Sequence, residues 1–255
     1  MISCILAFYI AAFAPPAFAG GDVRGWSSLQ AAQQEDTPDA LYARREDLDS
    51  ARRAERAWQS RLTANPQDFE SAWKLARARY WLGGHVGTSD GRAILEGGIA
   101  AGRTAASLHP ERPEGHFWMA ANMGALAESF GLRQGIKYRG QIKDALETVL
   151  RIAPAFQQGS ADRALGRWYL KVPALFGGSK KESEAHLRRS LTYNSNSHAS
   201  RFFLAETLFA MDRDEEAIDE LKKVIAAPVS AEWAPEDREF KEKARALLAD
   251  RGSRR

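Results

Sequence analysis

FFLAETLFAMDRDEEAIDELKKVIAAP, from Phe202 to Pro228, settles the architecture through the order of its small and large apolar residues. Leu204, Ala205 and Leu208 recur at the three-to-four spacing of one helix face, and Ala217, Leu221 and Val224 repeat it further on. Between them Met211 to Asp214 is short and polar, as a tight turn requires. The stretch predicts two antiparallel helices. Ala205 and Ala217 lack bulk and let the two axes approach, while Leu208, Leu221 and Val224 fill the space beside them. Pro228 ends the second helix because it has no N–H to donate and its ring clashes with a continuing turn.

The same ending recurs along the chain, in Ala64-Asn65-Pro66, Leu108-His109-Pro110, Ile152-Ala153-Pro154 and Tyr193-Asn194-Ser195 as well as Ala226-Ala227-Pro228. The closing residues stand 44, 44, 41 and 33 apart, an interval that implies a repeated unit. Leu165-Gly166, Tyr169, Leu187 and Leu191 follow the pattern in the third unit, Ala72-Trp73, Ala76 and Tyr80 in the first, and Phe117-Trp118, Ala120, Ala121, Leu146 and Val149 in the second. This spacing resembles the tetratricopeptide repeat, so the expected fold is all-α, a helical-hairpin solenoid of about four irregular repeats. The first three units exceed the repeat length. Their surplus is expected in glycine-bearing insertions between paired helices, at Gly83-Gly84 to Gly91, Gly131 to Gly140 and Pro173 to Gly178. Leu41 to Leu62 predicts an opening cap and Pro235 to Leu248 a closing one, with Phe240, Ala244 and Leu247 facing the last repeat.

Of the 255 residues 44% are apolar and 27% charged, enough to bury a continuous core. Lys and Arg total 36 against 33 for Asp and Glu, and a net charge of +3 gives no electrostatic grip on nucleic acid. No charge precedes Asp22; the apolar run Ile5 to Ala14 is followed by Pro15-Pro16 and by Ala17-Phe18-Ala19. That pattern predicts a cleaved export signal over residues 1–19, too short to span a bilayer. A polar lead is expected over 20–38, the helical domain over 39–249, and a disordered basic tail over 250–255. Cys4, the single cysteine, falls in the signal, so thiol chemistry and disulfides are excluded from the working protein.

The run GSADRALGRWYLKVPALFGGSKKESEAHLRRSLTYNSNS, Gly159 to Ser197, resembles the T component of tripartite ATP-independent periplasmic (TRAP) transporters. Leu165-Gly166, Trp168-Tyr169, Pro173 and Gly177-Gly178 carry the likeness. HFWMAANMGALAESFGLRQGIKYRGQIKDALETVLRIAP, from His116, is also similar to the helical domain of the regulator of microtubule dynamics family. Both families are tetratricopeptide-like. The first resemblance implies a periplasmic helical protein that partners a solute-binding protein, sometimes as an oligomer. Cys4 is misplaced for a lipobox, so the membrane attachment of many family members does not carry over.

The residues themselves offer little chemistry. His85, His109, His116, His186 and His198 are scattered without metal-ligand spacing, and neither cofactor nor metal is expected. Glu182 and His186 predict an exposed i,i+4 pair. Gly177-Gly178-Ser179-Lys180 lacks the phosphate-loop spacing and predicts a turn with a helix start at Ser179. Asp212, Asp214 and Glu216 face Ala217 where a calcium loop needs glycine. There is no nucleophile elbow.

A binding protein without catalysis is therefore expected. In such solenoids the first helix of each pair lines the concave face. The positions mapped there are Lys74 and Trp81, Trp118 and Asn122, Arg163, Arg167 and Lys171, and Phe202, Glu206 and Phe209. Aromatic bodies supply buried area and guanidinium forks grip carboxylates, so the groove suits a partner protein, a peptide tail or an acidic small molecule. The alternatives are an envelope-assembly scaffold with several protein partners, and an enzyme using a cleft on the loop side.

Overall fold

The computed structural model describes residues 37–253; the expected signal and most of the expected lead lie outside the described residues. Eleven α-helices follow one another among them: α1 (Pro38–Ala43), α2 (Leu48–Ala64), α3 (Phe69–His85), α4 (Thr88–Leu108), α5 (Pro113–Phe130), α6 (Leu132–Ile152), α7 (Ser160–Lys171), α8 (Lys180–Tyr193), α9 (His198–Ala210), α10 (Asp214–Ala226) and α11 (Ala234–Ser253). A short 3₁₀ turn, Ala174–Phe176, precedes α8. Successive helices pack as antiparallel neighbours, and α3, α5, α7, α9 and α11 also meet one another in series along an inner layer. The second helices α4, α6, α8 and α10 end at Leu108, Ile152, Tyr193 and Ala226, where the recurring stop signals stand.

Capping explains the starts. The Asp47 carboxylate accepts from the Ser50 amide, Asp68 from Ser71, Ser179 from Glu182 and Ser197 from Ser200, each satisfying an amide that the first helical turn leaves free. Asp47 also divides the expected opening helix in two, α1 and α2.

The glycine-rich surplus differs from expectation. Gly83 and Gly84 lie inside α3, Gly91 inside α4, Gly135 and Gly140 inside α6, and only Gly131, at φ +87°, breaks the chain between α5 and α6. In the first two insertions the extra residues mostly lengthen helices, whereas Pro173 to Gly178 forms a turn between α7 and α8, as expected. Other glycines let helices touch. A Cβ on Gly98 would stand 2.1 Å from Asn122 Oδ1, and one on Gly102 would stand 2.7 Å from the Met119 amide. Helices α4 and α5 therefore pack with backbones almost in contact.

The core falls into two large clusters and a small one of Phe69, Ala72 and Ala105. Leu41 to Trp168 supply one around Trp58, Leu75, Leu95, Met123 and Leu146, and Leu187 to Ala244 supply the other around Leu204, Leu208, Leu221 and Val224. Between α7, α8 and α9 the packing includes a buried polar seam. Asp162 accepts from His186 at 2.7 Å, Ser183 and Thr207 share a hydrogen bond of 2.8 Å, and so do Ser190 and Ser200. His186 is thus buried and bound to α7, not exposed beside Glu182 as its i,i+4 spacing suggests. Phe240, Ala244 and Leu247 join the second cluster. The last helix continues past Ala249 to Ser253, with the Arg251 guanidinium 4.3 Å from the Phe209 ring centroid.

Candidate functional site

Polar side chains from α3, α5, α7, α9 and α11 face one another along the inner layer. Arg167 sits at its middle. Its Nε and Nη2 donate to the two Glu128 oxygens at 2.6 and 2.7 Å, its Nη1 donates to Glu206 at 2.7 Å, and its guanidinium lies 4.3 Å from the Phe203 ring centroid. Burial pulls the Arg167 pKa down, but the hydrogen bonds and charges of Glu128 and Glu206 outweigh it and leave the pKa raised. Lys171 adds a contact of 3.3 Å to Glu206. These side chains cross-link α5, α7 and α9, so their charges are already spent on one another.

Arg163, one turn earlier on α7, differs. It faces Tyr80, Glu236 and Asp237, whose charges oppose the lowering of its pKa by burial. Among the described residues no carboxylate lies within ion-pair distance of it. Tyr80 marks the same space from α3: 39% of its surface is accessible, yet burial is the largest cause of its raised pKa. Trp118 packs beneath it, with centroids 5.7 Å apart.

The ends of the helical run meet across this space. Arg45, only 4% exposed, donates from Nε to Glu236 at 3.0 Å, makes a second contact from Nη2 to the same carboxylate, and reaches the Glu232 carbonyl at 3.3 Å. Arg238 pairs with Glu46 through two contacts, of 2.9 and 2.5 Å. His85 at the end of α3 stands 3.8 Å from Glu239. Burial lowers the His85 pKa, but the nearby Glu239 carboxylate and the Trp81 carbonyl, 2.7 Å from the ring, leave it raised; His85 leads the causes that bring Glu239 down to about 2. Charged side chains make this closure without close packing of α11 on α2 or α3.

Of the ten positions expected in the groove, Arg167, Lys171 and Glu206 come together, Arg163 stands one turn away on α7, and Lys74 is paired with Asp39 at 2.9 Å. Five belong elsewhere. Trp81 is buried and its Nε1 donates to the Arg45 carbonyl at 2.8 Å. Asn122 is wholly buried, donating to the carbonyls of Ala76 and Trp118. Trp118 is buried under Tyr80, and Phe202 and Phe209 belong to the second core cluster. Tyr80, Glu128, Phe203 and Glu236 line the space instead. Tyr80 and Phe203 each stand one residue away from an expected position, a rotation of about 100° on a helix.

A separate loop-side cleft of about 640 Å³ is lined by Arg92, Glu96, Phe130, Arg133, Gln134 and Lys137. It draws on α4, α5 and α6 and contains no nucleophile paired with a base. No group of three His, Cys, Asp or Glu is placed to hold a metal ion among the described residues. No helix among them is long and apolar enough to cross a membrane.

These features define a tetratricopeptide-like helical solenoid protein whose interior is polar and whose ends are joined. The family model for the TRAP transporter T-component matches residues 110–252, more than half of the chain, and the chain belongs to that family. Among solved structures, it is similar to a thermophilic TPR protein of Thermus thermophilus, with a TM-score of 0.62 and 23% identity over 83% of this chain and 97% of that one. A likeness to MamA covers 78% of this chain and 95% of that one, at 16% identity and a TM-score of 0.47. No curated protein matches the sequence.

Proposed function

We propose that this T-component is an exported, non-catalytic transport accessory that holds the carboxylate of a small organic acid on Arg163 in its interior and works beside a solute-binding protein. The observation that carries this reading is Arg163 itself, a guanidinium without a carboxylate partner among the described residues, in a space where Arg167 and Arg45 already engage Glu128, Glu206 and Glu236. A bound carboxylate would complete the charge pairing, and Tyr80 would supply a hydroxyl and a ring face beside it. Family membership supports the transport role.

The test begins with protein purified from its native envelope, whose small molecules are extracted, identified and titrated back calorimetrically. A charge-assisted hydrogen bond contributes roughly 1.5–3 kcal/mol, so Arg163→Ala is expected to weaken the acid at least tenfold with helicity intact. Equal affinity in both proteins removes Arg163 from the site. Recovery of no acid from the native protein argues against a small-molecule ligand.

A further inference from the structure

The 3₁₀ turn Ala174–Phe176 stands outside the interior space, and one of its side chains has no structural task. Leu175 is 88% exposed, far more than any other large apolar residue among those described. Its backbone is nevertheless tightly specified. Phe176 N donates to the Pro173 carbonyl at 2.8 Å, Gly177 N to Ala174 at 3.0 Å, Gly178 N to Pro173 at 3.2 Å, and Ser179 N to Tyr169 at 2.9 Å. Gly177 takes φ +100°, and a Cβ on Gly178 would fall 1.7 Å from the Val172 carbonyl oxygen. The turn is thus built to hold one conformation, and that conformation points a leucine into water. Phe176 lies beside it with Arg139 Cζ 5.3 Å from its ring centroid.

The surroundings carry one sign of charge. Residues 168–181 contain Lys180, Lys181 and the Glu206-paired Lys171 and no acid, and residues 129–143 contain Arg133, Lys137, Arg139 and Lys143 and no acid. The two stretches meet where Arg139 covers Phe176 and where Trp168 Nε1 donates to the Arg139 carbonyl at 3.0 Å. In a chain whose net charge is only +3, this is a local concentration of positive charge around an apolar tip.

We infer that Leu175 is the knob of a protein-docking surface, seated in a partner's apolar socket rimmed by carboxylates. A rigid turn loses little freedom on binding, and a single apolar side chain filling a desolvated pocket is how interface anchors act. A lipid surface has no use for that rigidity, and one projecting leucine buries too little to hold a protein in a bilayer. The inference is independent of the Arg163 site, which faces the interior from the other side of α7.

A benzoyl-phenylalanine photo-crosslinker placed at position 175 of the full chain, in the native cell, captures what touches the knob. The captured protein is then identified, purified and titrated against the unmodified chain and its variants. Expected are one dominant adduct with a different protein, affinity at least tenfold lower for Leu175→Asp and retained by Leu175→Met, weaker binding for Lys181→Glu, and a steady loss with added salt. Arg163→Ala should leave this affinity unchanged. Far-UV circular dichroism confirms that the variants fold. An absent adduct, an adduct with a second copy of this chain only, or equal affinity of Leu175→Asp overturns the inference. So does Leu175-dependent sedimentation with phosphatidylglycerol vesicles, which would make the surface a lipid contact.

Discussion

Gly166 shows how little room a single position can have: a Cβ there would stand 2.5 Å from Leu187 Cγ and 3.1 Å from the Ser183 carbonyl oxygen. Replacement by leucine would drive α7 and α8 apart, at a cost of about 1–3 kcal/mol. Thermal unfolding of Gly166→Leu should show a clear fall in midpoint, and an unchanged midpoint would mean that α8 yields freely. Gly98 is tighter still, because Asn122, the side chain in its way, is fixed by two carbonyls and cannot swing aside. At this scale the sequence was only half legible. The cations at positions 167 and 171 share Glu206, as side chains four apart on one helix face can. Trp81 and Phe202 were assigned to the inner face one residue out of register, because aromatic and apolar neighbours at 80–81 and 202–203 give the periodicity two equally good solutions. Only the neighbouring helices choose between them.

The helices themselves were easier to read, since proline and capping side chains mark their limits locally. What misled was glycine, which carries one composition signal for two physical uses. In α6 it serves neither a turn nor a contact: Gly135 and Gly140 have nothing within 4 Å of where a Cβ would lie. Gly140→Ala is therefore expected to stabilise the protein by about 0.4–1 kcal/mol by narrowing the unfolded ensemble, a change that denaturant titration can resolve. The N-cap of α8 gives the opposite sign. Ser179→Ala removes the acceptor of the Glu182 amide and should cost about 0.5–2 kcal/mol in the same titration. Most glycines of the first two insertions, read as loops, turned out to be helix because spacing alone does not reveal whether a glycine faces solvent, a neighbouring backbone or a bend.

Across the whole molecule the informative feature is the polar closure between the α1–α2 junction and α11. It joins residues about 190 apart, which no local pattern announces. Removing Arg45 leaves Glu236 without its fork, and the cost of Arg45→Ala should fall between the about 1 kcal/mol of a surface pair and the about 3–5 kcal/mol of a buried one. The closure also responds to pH. His85 has a raised pKa, so its contribution is complete below the ordinary value of 6.5 and is lost as pH rises through the raised one. Glu239, lowered to about 2, contributes above the ordinary 4.5 and loses its contribution as pH falls toward 2. The pair is strongest between those limits. Urea midpoints should decline from about pH 6 to about pH 8 in the native chain and less so in His85→Gln; parallel profiles would place the titrating group elsewhere.

An open row of hairpins frays from its ends, because a terminal unit has a neighbour on one side only. Here α11 is held by the α1–α2 junction as well as by its neighbours, so among the described residues neither end of the helical run is free. Amide hydrogens in both should exchange with solvent nearly as slowly as those of α5 and α7, and severing the Arg45 and Arg238 contacts should release α1 and α11 to fast exchange while the middle of the row stays protected. The charged side chains at the junction would then set the order in which the molecule comes apart.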